Sequence, residues 1–248
     1  MKNIDAYDSH LDRLQNRPGG KIQKWLIERT TSLIAGSGFK ANATAIEIGP
    51  GSGALAVSLM QKGVEYTAIE PTNAMADALD RLGGSFPNYR GVSRLSLGKD
   101  FEGFTTQFDS VIAVHVLEHN SDAYSAREFL KHCHDLVVPG GQLVLICPDF
   151  ISYKGLFYDV DWSHGYETTL PRVRSLLEDT GFAEIDICHT RASFSNLFVR
   201  GFLCFVRLLV PIRVLDSLFW KIFGHRLLAT GFAVGFLLRN IQVIAKKE

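Results

Sequence analysis

The segment that most constrains this chain is Ala43-Thr-Ala-Ile-Glu-Ile48, which runs straight into Gly49-Pro-Gly-Ser-Gly53. A short apolar run of this kind suits a strand buried on both faces, and such strands belong to parallel sheets covered by helices. Three glycines in five residues then remove side chains where backbone must turn tightly or come close to another group. An apolar helix through Ala54, Val57, Leu59 and Met60 follows. The loop therefore opens onto helix N-terminal amides, which suit a negative group such as a carboxylate or phosphate.

The same alternation continues along the chain. Helical spacing of Ile22, Trp25, Leu26, Arg29 and Leu33 predicts a helix over about 21–35, stopped by Gly36 and Gly38. Strands are expected at 65–70, 92–97, 109–114, 142–147, 183–188 and 241–245, with helices at about 74–82, 123–136 and, from a cap at Thr168 or Thr169, to Leu177. Pro139-Gly140-Gly141 reads as a turn into the fifth strand. The pattern predicts an α/β doubly wound parallel sheet, which binds ligands beyond the carboxyl ends of its strands where strand order reverses. With 248 residues, 46% of them apolar, the chain can bury one ordinary core without staples, and disorder, collagen and coiled coil are excluded. Cys133, Cys147, Cys188 and Cys204 form no CxxC pair, which argues against a zinc knuckle or disulfide framework and fits reduced thiols in a cytoplasm. The opening residues MKNIDAYDSH hold no apolar stretch of signal-peptide type, so no such peptide is expected.

Two acids give the glycine loop more meaning. Gly49-x-Gly51-x-x-Ala54 alone passes for a dinucleotide fingerprint, with Glu70 reaching a ribose. Glu47, however, stands two residues before the first glycine, at the sheet's carboxyl edge. An acid there can pair with an ammonium group, which S-adenosylmethionine carries and a nicotinamide dinucleotide lacks. Glu70, ending the second strand, can accept both hydroxyls of a ribose.

Four segments, Ala45-Ile-Glu-Ile-Gly-Pro-Gly-Ser-Gly53, Ala68-Ile-Glu-Pro71, Phe108 through His119 and Leu136 through Leu145, resemble the motifs of class I S-adenosylmethionine-dependent methyltransferases in order and spacing. The resemblance covers roughly residues 40–190 and the final strand. It implies a Rossmann-like, doubly wound seven-stranded sheet whose last strand is antiparallel. It also implies S-adenosylmethionine as cofactor, with Glu47, Gly49, Gly51 and Gly53 around its methionine portion, Glu70 on the ribose, His115 beside it and Asp100 near the adenine.

His115, Glu118 and His119 follow the fourth strand, and Asp161-Trp-Ser-His164-Gly-Tyr-Glu167 follows the fifth. If a helical turn begins at once, His115 and His119 share a face with Glu118. Three readings compete. His119 or His164 is a general base that takes a hydroxyl proton as the methyl arrives; or the histidines and Glu118 hold a divalent metal; or they are structural. The His-x-x-Glu-His spacing with His164 is similar to the metal site of small-RNA 2′-O-methyltransferases, where an acid stands in place of His115. Given that replacement no metal is assigned from sequence, and His119 and His164 are assigned as catalytic.

The formal net charge of zero hides an asymmetry. Residues 190–248 hold nine Lys/Arg against Asp216 and Glu248, which gives +7, and the preceding residues carry the balancing −7. About fifty residues, 190–239, separate the sixth and seventh strands, where the resemblance implies a short hairpin. Phe194, Phe198, Phe202, Phe205, Leu209 and Ile212 make an apolar stripe there, and Leu227–Leu238 carries no charge. Arginines keep every run short of a transmembrane span. The expected organisation is an N-terminal helical cap (1–40), a cofactor-binding domain (41–189 with 240–248) and a helical apolar insertion (190–239). That insertion serves as a lid, a subdomain core, a homodimer face or a peripheral membrane contact at the inner membrane face. Its charges are dispersed among aliphatics, so no nucleic-acid partner is expected. The sequence predicts O-methylation of a small-molecule, saccharide or lipid-linked acceptor, and as an alternative a cofactor-binding but non-catalytic docking protein.

Overall fold

The computed structural model describes residues 38–51, 53–95, 106–190 and 238–248, together with Ile34, Leu218, Lys221 and Ile222. Seven strands, β1 (Thr44–Ile48), β2 (Glu65–Ile69), β3 (Tyr89–Ser93), β4 (Phe108–Val114), β5 (Val137–Pro148), β6 (Ala183–Thr190) and β7 (Asn240–Lys246), form one sheet in the order β3-β2-β1-β4-β5-β7-β6. Pairings among β1 to β5 are parallel, while β7 runs antiparallel to β5 and β6. Strand order reverses between β1 and β4, so the crevice above their carboxyl ends is the expected ligand position.

Side-chain alternation along β1 feeds two cores. Ile46 and Ile48 pack with Val111, Ala113, Leu143 and Leu145 against α3 (Ala123–Leu136) and α6 (Leu170–Asp179). Ala45 points the other way and packs with Tyr66, Ala68 and Ile112 against α1 (Ala54–Gln61) and α2 (Asn73–Gly83). The register of β1 matters because a one-residue slip would exchange the faces and send Glu47 into the aliphatic core. Helix α3 starts with a capping box: Asp122 accepts from the Ser125 amide, and the Ser125 hydroxyl accepts from the Asp122 amide. Its Ala126, Phe129, Leu130, Cys133 and Leu136 face the sheet, and burying a side chain such as Phe129 or Leu130 stabilises the fold by roughly 2 kcal/mol.

Two elements differ from the sequence expectation. β3 lies at Tyr89–Ser93 and not at 92–97. Its position is set by polar anchors: the Asn88 amide donates to the Met60 and Val64 carbonyls, and the Tyr89 hydroxyl donates to Asp80. Gly91, at φ +107, breaks the apolar alternation that would have marked the strand. Pro139-Gly140-Gly141 is not a turn before β5 but an irregularity inside it. The register against β4 jumps from Phe108↔Val137 to Ser110↔Gln142, and Gly140 sits at φ +77, as in a bulge.

After β5 the chain forms two short helices, α4 (Phe150–Tyr153) and α5 (Leu156–Val160). Buried Asp149 caps α4 through the Ile151 amide, and its other oxygen pairs with Arg239 at 2.9 Å and His189 at 3.4 Å. Thr190 is paired with Asn240. The expected helix at 21–35 (Ile34 apart) and the apolar stripe with most of 190–239 lie outside the described residues, as do Asp100 and Cys204. Among the described residues no helix is long and apolar enough to cross a membrane.

Candidate active site

The glycine loop joins β1 to α1 with Gly49, Gly51 and Gly53 at φ +67, +52 and +73. At Gly49 space reinforces the backbone requirement: a Cβ there would lie 2.9 Å from Cγ2 of Val116, just past β4. Gly51 is the opposite case. Its φ also disfavours a side chain, but among the described residues a Cβ would meet nothing within 4 Å, so they leave open space above it. Gly53 forms the N-cap of α1.

Glu47 is 3% exposed and accepts a 2.6 Å hydrogen bond from the Tyr66 hydroxyl of neighbouring β2. Burial pushes its carboxyl up to about 7, against the opposing effect of the Tyr66 bond and with a further push from the charge of Glu70. A cationic amine would relieve both unfavourable effects. Glu70 follows β2, is also buried, and accepts from the Thr72 amide at 3.0 Å. The open space at Gly51, the buried acid at 47 and the second acid at 70 fit a ligand with an ammonium end and a sugar end.

The second half of the site lies past β4 and β5. His115 does not begin a helical turn. It adopts φ +57, and a single 3-10 turn follows at Leu117–His119, so His115 and His119 do not share a helix face as expected. Instead Nδ1 of His115 lies 3.1 Å from Oε1 of Glu118, whose side chain is buried. Burial acts to raise the Glu118 carboxyl, but the bond from His115 and the neighbouring histidines outweigh it and hold the group below the ordinary range. Two backbone bonds bring in the distant loop: the amides of Gly165 and Tyr166 both donate to the Glu118 carbonyl, at 2.8 and 3.1 Å.

This contact puts the His119 and His164 rings 5.0 Å apart, edge to face. Ser163 donates its hydroxyl to Asp161 at 2.6 Å and thereby accepts from Nδ1 of His119 at 2.7 Å. His164 donates through Nδ1 to the Phe157 carbonyl at 2.5 Å. These partners fix the Nδ1–H tautomer in each ring. Burial lowers the His119 pKa, with Glu118 opposing and His164 assisting, so the ring favours its neutral form.

The structure thus brings together His115, His119 and His164 on one side, and Glu47, Gly49, Gly51, Gly53 and Glu70 on the other. Tyr66 was not singled out by the sequence, and Asp161, Ser163 and Gly165 stood there only within the 161–167 segment, with no role of their own. The available signals were a tyrosine in an otherwise buried strand, where its hydroxyl needs a partner, and an Asp-x-Ser-His run that can fold onto itself.

Residues 46–143 match the family model described as a methyltransferase domain. Over these residues the chain is similar to methyltransferase domains. The chain is 33% identical over 109 residues to a ubiquinone biosynthesis O-methyltransferase of Pseudomonas paraeruginosa, which covers 42% of this chain and 44% of the relative. The chain therefore spans less than half the length of that relative. Among solved structures, the cyclopropane synthase MmaA2 of Mycobacterium tuberculosis superposes with a TM-score of 0.61 at 18% identity, over 87% of this chain and 82% of that one. An N-methyltransferase of Haemonchus contortus, in complex with phosphomonomethylethanolamine and S-adenosylhomocysteine, superposes with a TM-score of 0.63 at 16% identity, over 96% of this chain and 59% of that one. These likenesses share the fold of the methyltransferase domain, with its antiparallel last strand.

Proposed function

We propose that the chain transfers a methyl group from S-adenosylmethionine to an oxygen of a small-molecule acceptor, a saccharide or lipid-linked one included. The observation that carries this reading is the buried Glu47, held by the Tyr66 hydroxyl, beside the Gly51 loop, a pairing that favours an amino-acid ammonium. Glu47 would hold that ammonium, Glu70 the ribose hydroxyls, and the amides opening α1 the carboxylate. The bound cofactor supplies an already activated methyl group, so holding donor and acceptor in line can provide much of the rate. His119 and His164 would handle the acceptor hydroxyl and its proton. Ser163 and Asp161 fix the His119 ring behind that nitrogen. Oxygen is favoured as the methylated atom by this acid–base pair and by the name of the Pseudomonas relative.

The same reading assigns residues 190–239 to covering or recruiting the acceptor, with peripheral contact at the cytoplasmic face of the inner membrane, and residues 1–40 to an N-terminal cap. Calorimetry with S-adenosylhomocysteine tests the donor half. Binding is expected in the unaltered protein and at least about 100-fold weaker in Gly51→Arg, whose side chain fills the open space; no binding, or equal binding by both, removes the assignment. Incubating radiolabelled donor with soluble and lipid fractions of a cell extract then identifies the acceptor class.

A further inference from the structure

Tyr66 is fully buried in the core on the β1–β2 face, among Ala45, Val64 and Ala68, where a phenylalanine would fill the same space. Its hydroxyl therefore needs a reason, because burying one without a partner is unfavourable. The partner is an acid: the hydroxyl donates to Oε2 of Glu47 at 2.6 Å. Strand register explains the reach. Ala45 lies opposite Tyr66, and Glu47 lies opposite Ala68. Alternate residues of a strand share a face, so the phenol extends along that face toward the carboxyl edge and meets Glu47 from the core side. The ring is held from β3. It stacks on Tyr89 with centroids 6.4 Å apart and planes 21° apart, and the Tyr89 hydroxyl donates to Asp80 of α2, which pairs with Arg94.

The proton in this bond belongs to the phenol. Burial and the adjacent Glu47 push the Tyr66 pKa well above its ordinary value, so the hydroxyl stays a donor. A phenol has one proton to give, so it takes one carboxylate oxygen and leaves the other for a ligand. A donated hydrogen bond also favours the charged form of the acid that accepts it, whereas burial and the charge of Glu70 act on Glu47 in the opposite direction. From the other elements packed here, β4 presents Ile112 and α1 presents Leu55, Ala56 and Leu59, all apolar.

We propose that Tyr66 is a positioning residue of the donor site: its hydroxyl fixes the Glu47 carboxylate and holds it in the charged form that a ligand ammonium requires. This role rests on the reading above, in which Glu47 meets the amino-acid end of S-adenosylmethionine, and Tyr66 acts through that acid. Without the hydroxyl, burial and Glu70 act on Glu47 unopposed, and the carboxyl keeps its proton to a higher pH. An uncharged acid offers the ammonium a hydrogen bond but no counter-charge. Loss of the hydroxyl therefore weakens binding most below neutrality, and the deficit closes as rising pH ionises the acid regardless.

The test is calorimetry of S-adenosylhomocysteine binding to the full chain from about pH 6.5 to about pH 8.5, in the unaltered protein and in Tyr66→Phe. Both proteins meet the same titrating ligand, so the ratio of their Kd values reports on the acid. Tyr66→Phe should bind about tenfold more weakly at pH 6.5 and within about threefold of the unaltered protein at pH 8.5. In the Glu47→Gln background, where no charge can be held, the pH trend of that ratio should vanish. If Tyr66→Phe does not fold, Tyr66→Met, a flexible apolar replacement, carries the same comparison. A deficit equal at every pH, a trend that survives without the acid, or an unchanged Kd at pH 6.5 overturns the positioning role. Binding with a flat ratio defeats Tyr66 alone, whereas no binding by the unaltered protein at any pH defeats the methyltransferase reading beneath it.

Discussion

The glycine loop and the histidine cluster occupy the same edge of the sheet but are assembled in different ways. The loop is contiguous: Glu47 to Gly53 lie within seven residues, and their positions follow from a strand end and backbone that glycine alone adopts readily. The cluster is composite. His119 and its partner Ser163 stand 44 residues apart in the chain, and two amide bonds to one carbonyl hold their loops together. A donor subsite built from backbone tolerates few changes at its glycines. An acceptor subsite built from side chains on two tethered loops can change its chemistry by single substitutions while the donor half persists.

The sharpest way to break the comparison is to remove one member of the cluster. His119→Asn should lower kcat by about 100-fold, the lower end of what a positioned acid–base group supplies, and leave the S-adenosylhomocysteine Kd within about threefold. Steady-state kinetics on the identified acceptor together with calorimetry check it; a Kd that rises in parallel would mean the two halves are not separate.

Next is the tether. A Cβ at Gly165 would lie 2.4 Å from the Asn120 carbonyl oxygen and 3.0 Å from the Ser121 Cα, so Gly165→Ala must push the loops apart. We expect a loss of about 2 kcal/mol in denaturant unfolding, a lower kcat, and donor binding that stays near normal.

The third effect sharpens the donor half. Glu47→Gln should weaken S-adenosylhomocysteine about tenfold and yet stabilise the protein above neutrality. The folded carboxyl titrates near 7, above the unfolded value near 4.5, so the folded state holds the extra proton between those limits. The stability this protonation contributes is present at low pH and lost as pH rises through about 4.5 to 7, and at pH 8 the ionised acid costs about 3 kcal/mol. The Tm advantage of Glu47→Gln should therefore grow from pH 5 to pH 8. In the unaltered protein, affinity for the amine-bearing ligand should rise with pH up to about 7 and level off beyond. A flat profile would falsify the role of Glu47.

How much was legible follows from the same contrast. The β1–loop–α1 unit, both acids and the antiparallel last strand were readable because each is a local pattern or part of an ordered motif series. The position of β3 was not, because polar anchors at Asn88 and Tyr89 fix it and Gly91 interrupts its apolar pattern. Pro139-Gly140-Gly141 carried a turn signature but forms a bulge, since the same φ > 0 requirement serves both. His115 was placed on a helical face with His119, whereas its own φ > 0 ends that continuity and turns its ring to Glu118. Tyr66 and Gly165 act across strands and loops, where no sequence periodicity reports them.

The ladder pair Thr190–Asn240, with Asp149 gripping both His189 and Arg239, has a consequence for the history of the molecule. The long segment between β6 and β7 leaves and re-enters the sheet at one rung, where a turn of a few residues would close the same hairpin. Because closing a longer loop adds entropy cost only logarithmically, this rung is a socket into which material can be inserted, exchanged or removed with little penalty to the sheet. Relatives with the same catalytic edge but different accessory segments at this junction are the expected outcome.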